Sequence, residues 1–111
     1  MASAPKITRV QVTQYEYVID DMGVDYNGFN HVYQKGNKLR SRGQILTIET
    51  DAGVTGEFVG WIETHQLAMI GRYLIGKNAL EREKIYNDVK RALRKYDKMS
   101  MGLIDIALWD L

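Results

Sequence analysis

The sequence predicts an α+β fold, a three-stranded antiparallel sheet followed by a bundle of about three helices. Three observations carry that reading. Apolar and polar residues alternate from Lys6 to Ile19; a second alternating run folds back on itself around Asp51-Ala52-Gly53; and from Thr64 onward the apolar residues recur at helical spacing.

The first strand, Lys6 to Ile19, is rich in β-branched and aromatic residues. Val10 and Val12 occupy one parity, whereas Tyr15, Tyr17 and Ile19 occupy the other. A change of parity turns the buried face over, so a bulge or bend is expected near Gln14. Asp20 to Arg42 keeps neither period and reads as a long loop that orders against something, since such loops in compact domains are usually functional or disordered. Ile45 to Thr50 alternates again, with Leu46 and Ile48 set against Thr47 and Glu49, and Val54 to Trp61 returns as its hairpin partner. Gly53 is expected to hold the positive φ of the turn between them.

Thr64 is the expected cap of a first helix carrying Leu67, Ile70 and Leu74 and ending at Gly76. Asn78 is the expected cap of a second, with Glu81 in the capping-box position and Ile85, Val89, Leu93 and Tyr96 along one stripe. Acidic residues open that helix and basic ones close it, which suits the helix dipole. Ser100 should cap a third, Met101 to Leu111. Its apolar residues cover most of its circumference, and only Asp105 and Asp110 are charged. A helix of that kind must be buried on nearly every side. Three strands and two helices do not supply that cover, so a second domain or a second chain is expected to provide it.

Composition removes several classes of function. Fifteen basic and fourteen acidic residues leave a net charge of +1, too little for a global field that holds nucleic acid or an anionic membrane. There are no cysteines, hence neither a disulfide framework nor a thiolate site. No apolar run reaches the roughly 18 residues of a membrane span, and the expected location is the cytoplasm. His31 and His65 lack metal-ligand spacing, the glycines form no phosphate cradle, and Asp105 and Asp110 point apart on one helix. The latter two read as hydrogen-bonding groups toward a neighbouring loop or domain. The basic residues of the second helix interleave with Glu81, Glu83, Asp88 and Asp97, the pattern of a solvated face. The loop is the better candidate site. It brings Tyr26, Asn27, His31 and Tyr33 together with Lys35, Lys38, Arg40 and Arg42, the side chains a lid over a small polar anion would use. A merely solvated charge run is the competing reading.

Two phrases carry a family resemblance, Ile48-Glu49-Thr50-Asp51-Ala52-Gly53-Val54-Thr55-Gly56 and Ile104-Asp105-Ile106-Ala107-Leu108-Trp109-Asp110-Leu111. Together with Leu74-Ile75-Gly76-Lys77-Asn78 and Glu83-Lys84-Ile85-Tyr86, they resemble the N-terminal capping domain of the mandelate racemase and muconate lactonising branch of the enolase superfamily. The resemblance covers essentially residues 1–111. It departs from the family after Gly56, where Glu57-Phe58-Val59 precede Gly60-Trp61 instead of a Gly-aromatic-Gly-Glu sequence.

The resemblance implies that the catalytic and Mg²⁺-binding residues belong to a C-terminal barrel absent from this chain, and that this chain binds no cofactor of its own. It implies an enzyme removing a proton next to a carboxylate: a sugar-acid dehydratase first, a racemase or cycloisomerase otherwise. The partners it implies are that barrel, a small carboxylate substrate and further copies in a homo-oligomer, with neither nucleic acid nor membrane. Trp61 joins the loop residues as a candidate capping contact. A free-standing interaction module, docking through its apolar last helix, is the alternative of a different class.

Overall fold

A computed structural model of the chain describes residues 3–20, 36, 38–94 and 99–111. Its elements run β1 (Ile7–Asp20), β2 (Lys38–Thr50), β3 (Thr55–Gly60), α1 (Thr64–Leu74), α2 (Arg82–Ala92) and α3 (Met99–Asp110). The strands form one sheet in the order β1-β2-β3, and the class is the predicted α+β. The chain divides into two compact units, Met1–Thr13 with Gln44–Leu111, and Gln14–Gly43. The division falls in β1 at Gln14, where the alternation changes parity, and the strand itself continues through that residue.

In the larger unit, β2 and β3 pair antiparallel with Leu46 opposite Phe58 and Ile48 opposite Gly56. Leu46 and Ile48 are fully buried, so their parity marks the core face. The turn at Asp51-Ala52-Gly53 forms as expected, with Gly53 at φ +79°, a conformation that costs a residue with a Cβ. Thr50 Oγ1 donates to the Val54 carbonyl at 2.7 Å and closes the turn. Leu67, Ile70 and Leu74 of α1 and Ile85 and Val89 of α2, with Leu93 just beyond it, complete the core as the helical stripes predict. Tyr96, the last residue expected on the second stripe, lies outside the described residues.

Gly56 has a separate task. It lies on the core face of β3, where α3 crosses. A Cβ there would stand 1.9 Å from the Ala107 carbonyl oxygen, so only a glycine lets the helix backbone come this close. Asp110 accepts a hydrogen bond from the Glu57 amide at 2.9 Å, fastening the end of α3 to strand β3 rather than to a loop or another domain.

The helix starts differ from their expected places, each for a local reason. Glu63 rather than Thr64 caps α1, because its carboxylate accepts from the His65 amide at 3.2 Å. Asn78 caps a turn instead of α2: its side chain accepts from the Leu80 amide and its carbonyl from the Glu81 amide, and the helix begins only after Glu81. Ser100 lies inside α3, fully buried, with its hydroxyl directed at the Glu63 carbonyl at 3.3 Å. That carbonyl also receives the Leu67 amide of α1, so the first turns of α1 and α3 are tied together.

The last helix is not buried all round. Leu103, Ile104, Ala107 and Leu108 are buried against β3 and α2, while Ile106 (53% exposed) and Trp109 (63% exposed) remain at the surface. Among the described residues no helix is long and apolar enough to cross a membrane.

Gly56→Ala should lower the unfolding free energy by about 1–3 kcal/mol, the cost of overpacking a close approach. Gly71 sits inside α1 with no heavy atom within 4 Å of a Cβ. Gly71→Ala should therefore stabilise by about 0.5–1 kcal/mol. Urea denaturation of both variants checks the pair, and equal effects would contradict the account of α3 packing.

Candidate functional site

Of the candidate capping residues, Tyr26, Asn27, His31 and Tyr33 lie outside the described residues, as does most of the expected Asp20 to Arg42 loop. Arg40 and Arg42 are in strand β2, not in a loop, which corrects the expectation drawn from the absence of a period there. The period is present but inconspicuous. Lys38, Arg40 and Arg42 are exposed while Leu39 and Ser41 between them are half-buried, and one short apolar residue does not mark a strand.

Within the smaller unit these cations face β1. Arg42 pairs with Glu16 at 3.3 Å and Lys38 with Asp20 at 3.8 Å. Both pairs join β1 to β2 across the antiparallel sheet. Arg40 thus stands between two ion pairs and makes none itself among the described residues. All four paired side chains are largely exposed, so each bridge contributes at most about 1 kcal/mol and yields readily to a competing anion. On the opposite parity Tyr15 and Tyr17 stack with ring centroids 6.0 Å apart. A Cβ on Gly43 would stand 2.1 Å from Tyr15 Cζ, so the glycine leaves room on β2 for the phenol end of that side chain.

Trp61 belongs to the larger unit. It follows β3 directly and is 69% exposed, although its successor Ile62 is buried. The Ile62 amide donates to Gln44 Oε1 at 3.0 Å.

The second exposed tryptophan, Trp109, was legible in sequence only as part of an apolar run. In the structure the Arg82 guanidinium lies 4.4 Å from its ring centroid, and Arg82 Nε donates to the Leu108 carbonyl at 3.0 Å. Two open clefts flank the indole. One, of about 370 Å³, is lined by Tyr86, Asn87 and Asp105, and the other, of about 450 Å³, by Leu80, Arg82 and Lys84. With Ile106 and Leu80 also exposed, this is an apolar surface rimmed by charge, the composition of a docking face. A third groove, about 360 Å³ and mostly apolar, runs between Val10 and Val12 of β1 and Leu67, Ala68 and Gly71 of α1.

Among the described residues no three His, Asp or Glu side chains form a metal-holding group. His65 is an exposed helix residue. The perturbed titrations belong to the joint between α1 and α2, where the Tyr73 hydroxyl donates to Asp88 and Arg91 grips the same carboxylate. Burial, then the bond to Asp88, pushes the Tyr73 hydroxyl up from 10.0 to about 12. The hydrogen bonds from Tyr73 and then Arg91 hold the Asp88 carboxyl below its ordinary value. Lys77 Nζ stands 4.8 Å from the centre of the Tyr73 ring. The cluster clamps two helices.

No protein-family sequence model matches the chain, and no curated protein matches it. Solved structures do. D-glucarate dehydratase from Agrobacterium tumefaciens, complexed with magnesium, matches with a TM-score of 0.75 at 24% identity, over 98% of this chain and 29% of that one. A mandelate racemase/muconate lactonizing enzyme from Roseovarius nubinhibens matches with a TM-score of 0.63 at 18% identity, over 96% of this chain and 30% of its own. An enolase from Pseudomonas fluorescens with bound magnesium, potassium and tartrate matches with a TM-score of 0.62 at 17% identity, over 99% and 29%. The fold is therefore the enolase N-terminal-domain type that the sequence phrases resemble, and the chain spans about 30% of the length of the structures it matches.

The titrations give a signed prediction. Raising the Tyr73 pKa makes its contribution to stability complete below pH 10 and lost as pH rises from 10 toward about 12. The depressed Asp88 contributes above the ordinary carboxylate range, and its share is lost as pH falls through its folded value. Tyr73→Phe should melt below the unsubstituted chain at pH 7–9, and its melting temperature should fall less steeply between pH 10 and 12. Thermal melts across that range decide it, and parallel curves would refute the clamp.

Proposed function

We propose that this chain is the substrate-capping domain of a magnesium-dependent enzyme of the mandelate racemase and muconate lactonising branch of the enolase superfamily, whose barrel lies outside residues 1–111. The observation that carries the reading is the match of 96–99% of this chain to 29–30% of enzymes of that kind, two of them with bound magnesium. The magnesium would be held by the barrel, where it would stabilise the anion left when a proton is removed beside a carboxylate.

What this chain contributes is cover and selection. Trp61 offers a large apolar face close to the end of β3, and Arg40 offers a cation on the strand between two weak ion pairs. With Tyr26, Asn27, His31, Tyr33 and Arg42 they form the proposed capping set, suited to a small carboxylate that carries polar groups. A sugar acid fits that description, and the glucarate dehydratase match favours dehydration over racemisation or cycloisomerisation. The Ile106–Trp109 face of α3 would be covered by the barrel, as the apolar pattern of that helix requires. The parent enzyme would be a cytoplasmic homo-oligomer. A free-standing interaction module is the second reading, and the same exposed face is what favours it.

The test is Mg²⁺-dependent loss of water from a panel of aldonic and aldaric acids. Turnover by the barrel-containing polypeptide, with none by residues 1–111, supports the capping role; turnover by the 111-residue chain itself overturns it. In the parent enzyme Trp61→Ala should raise KM about tenfold while kcat changes less, as expected when binding common to the ground and transition states is removed. Ile106→Lys should reduce self-association of the isolated chain in sedimentation runs, and an unchanged sedimentation profile would argue against the docking face.

A further inference from the structure

We infer that Gln44 is a positioning residue for Trp61, holding it as a preorganised contact arm. The inference rests on the capping reading for what Trp61 touches, and on this chain alone for how Trp61 is held.

The β2–β3 ladder ends at the pair Gln44–Gly60. Beyond it the chain leaves the sheet, and the Ile62 amide has no strand partner. Gln44 shares the parity of the buried Leu46 and Ile48, an unfavourable place for an amide unless it is hydrogen-bonded. Its Oε1 reaches past the ladder end and accepts from the Ile62 amide at 3.0 Å, in a partly buried setting. A side chain thus substitutes for the next rung of the sheet.

The residues around Trp61 are fixed from both directions. Gly60 is the last paired residue of β3, and Ile62 is buried to 3%. Glu63 follows with its carboxylate on the His65 amide and its carbonyl on the Leu67 amide and the Ser100 hydroxyl. Trp61 is the exposed exception in a tethered segment of buried and half-buried residues. An aromatic side chain held by a rigid frame loses little conformational entropy on contact, which is the physical advantage of preorganisation. Of these tethers only the Gln44 bond acts on the residue next to Trp61 through a replaceable side chain.

The chain has two tryptophans, so Trp109→Phe leaves Trp61 as the one indole, which is excited selectively at the red edge where the seven tyrosines do not absorb. In that background Gln44→Leu keeps the apolar volume and loses the acceptor, and Gln44→Asn keeps the amide but is one methylene too short. Both should speed exchange of the Ile62 amide and raise the nanosecond local-motion amplitude of Trp61 at least about twofold in time-resolved anisotropy, the regime of loop motion. Faster Ile62 exchange with unchanged Trp61 motion would overturn the inference, because the bond would then stabilise the turn without positioning the indole. Unchanged exchange would overturn it as well. If Gln44→Leu does not fold, the milder Gln44→Asn decides by the same two readouts. Should Trp61→Ala leave KM of the parent enzyme unaltered, the capping reading fails while these measurements still stand.

Discussion

The larger unit depends on one close approach, the crossing of α3 over β3 at Gly56 and Ala107. Two small residues meet there, and the carbonyl of one occupies the space that a Cβ on the other would need. That contact brings Leu103, Ile104 and Leu108 down onto the sheet, where they are buried with Leu46 and Ile48. It also brings Asp110 within reach of the Glu57 amide and the Leu108 carbonyl within reach of Arg82. A wider crossing would forfeit these bonds together with the dispersion contacts beneath them, since interiors are close-packed and lose attraction steeply with separation.

The sheet's polar margins follow the same economy. Ile7, at the start of β1, exchanges backbone hydrogen bonds with Gly76 and Lys77 at 2.8 and 2.9 Å. The segment after α1 therefore extends the sheet briefly along that edge. On β3 the Asp110 carboxylate occupies the Glu57 amide, and at the ladder's end Gln44 occupies that of Ile62. Unpaired strand amides invite pairing with other chains, and here side chains and a short connection answer several of them. The consequence is a well-tethered exit from β3, the place from which Trp61 projects.

The groups that recognition would use are distributed differently from those that hold the fold. The cations of the smaller unit are exposed and weakly paired, so a competing anion displaces their partners at little cost. The strong charge-assisted bonds sit instead at the α1–α2 joint, where Tyr73 and Arg91 share Asp88. Trp109 combines both situations, because Arg82 steadies its ring from the α2 side while most of its surface stays open. The strong bonds of the framework and the exposed, unfilled contacts thus occupy different places.

Much of the fold was legible in the residue pattern. The alternation of Leu46 and Ile48, the turn at Gly53 and the stripe of Ile85, Val89 and Leu93 each reflect a local period that a buried face imposes on the chain. The two phrases around Gly53 and Trp109 led to the fold that the solved structures share. The helix caps were read one to several residues away from their places because Glu63, Asn78 and Ser100 bond to groups that neighbouring elements or turns bring near. Arg40 and Arg42 were assigned to a loop for a similar reason: their strand character comes from pairing with β1, which leaves almost no hydrophobic signature in Lys38 to Arg42. Among the candidate site residues only Arg40, Arg42 and Trp61 fall within the described structure. The order of strands and helices and much of the core can be read from the chain alone, since these depend on periodicity and on the partition of side chains between water and interior. Tertiary structure alone decided that Gly56 must stay small, that Gln44 reaches Ile62, and that Trp61 and Trp109 face outward, because each depends on atoms brought together from distant or non-repeating positions.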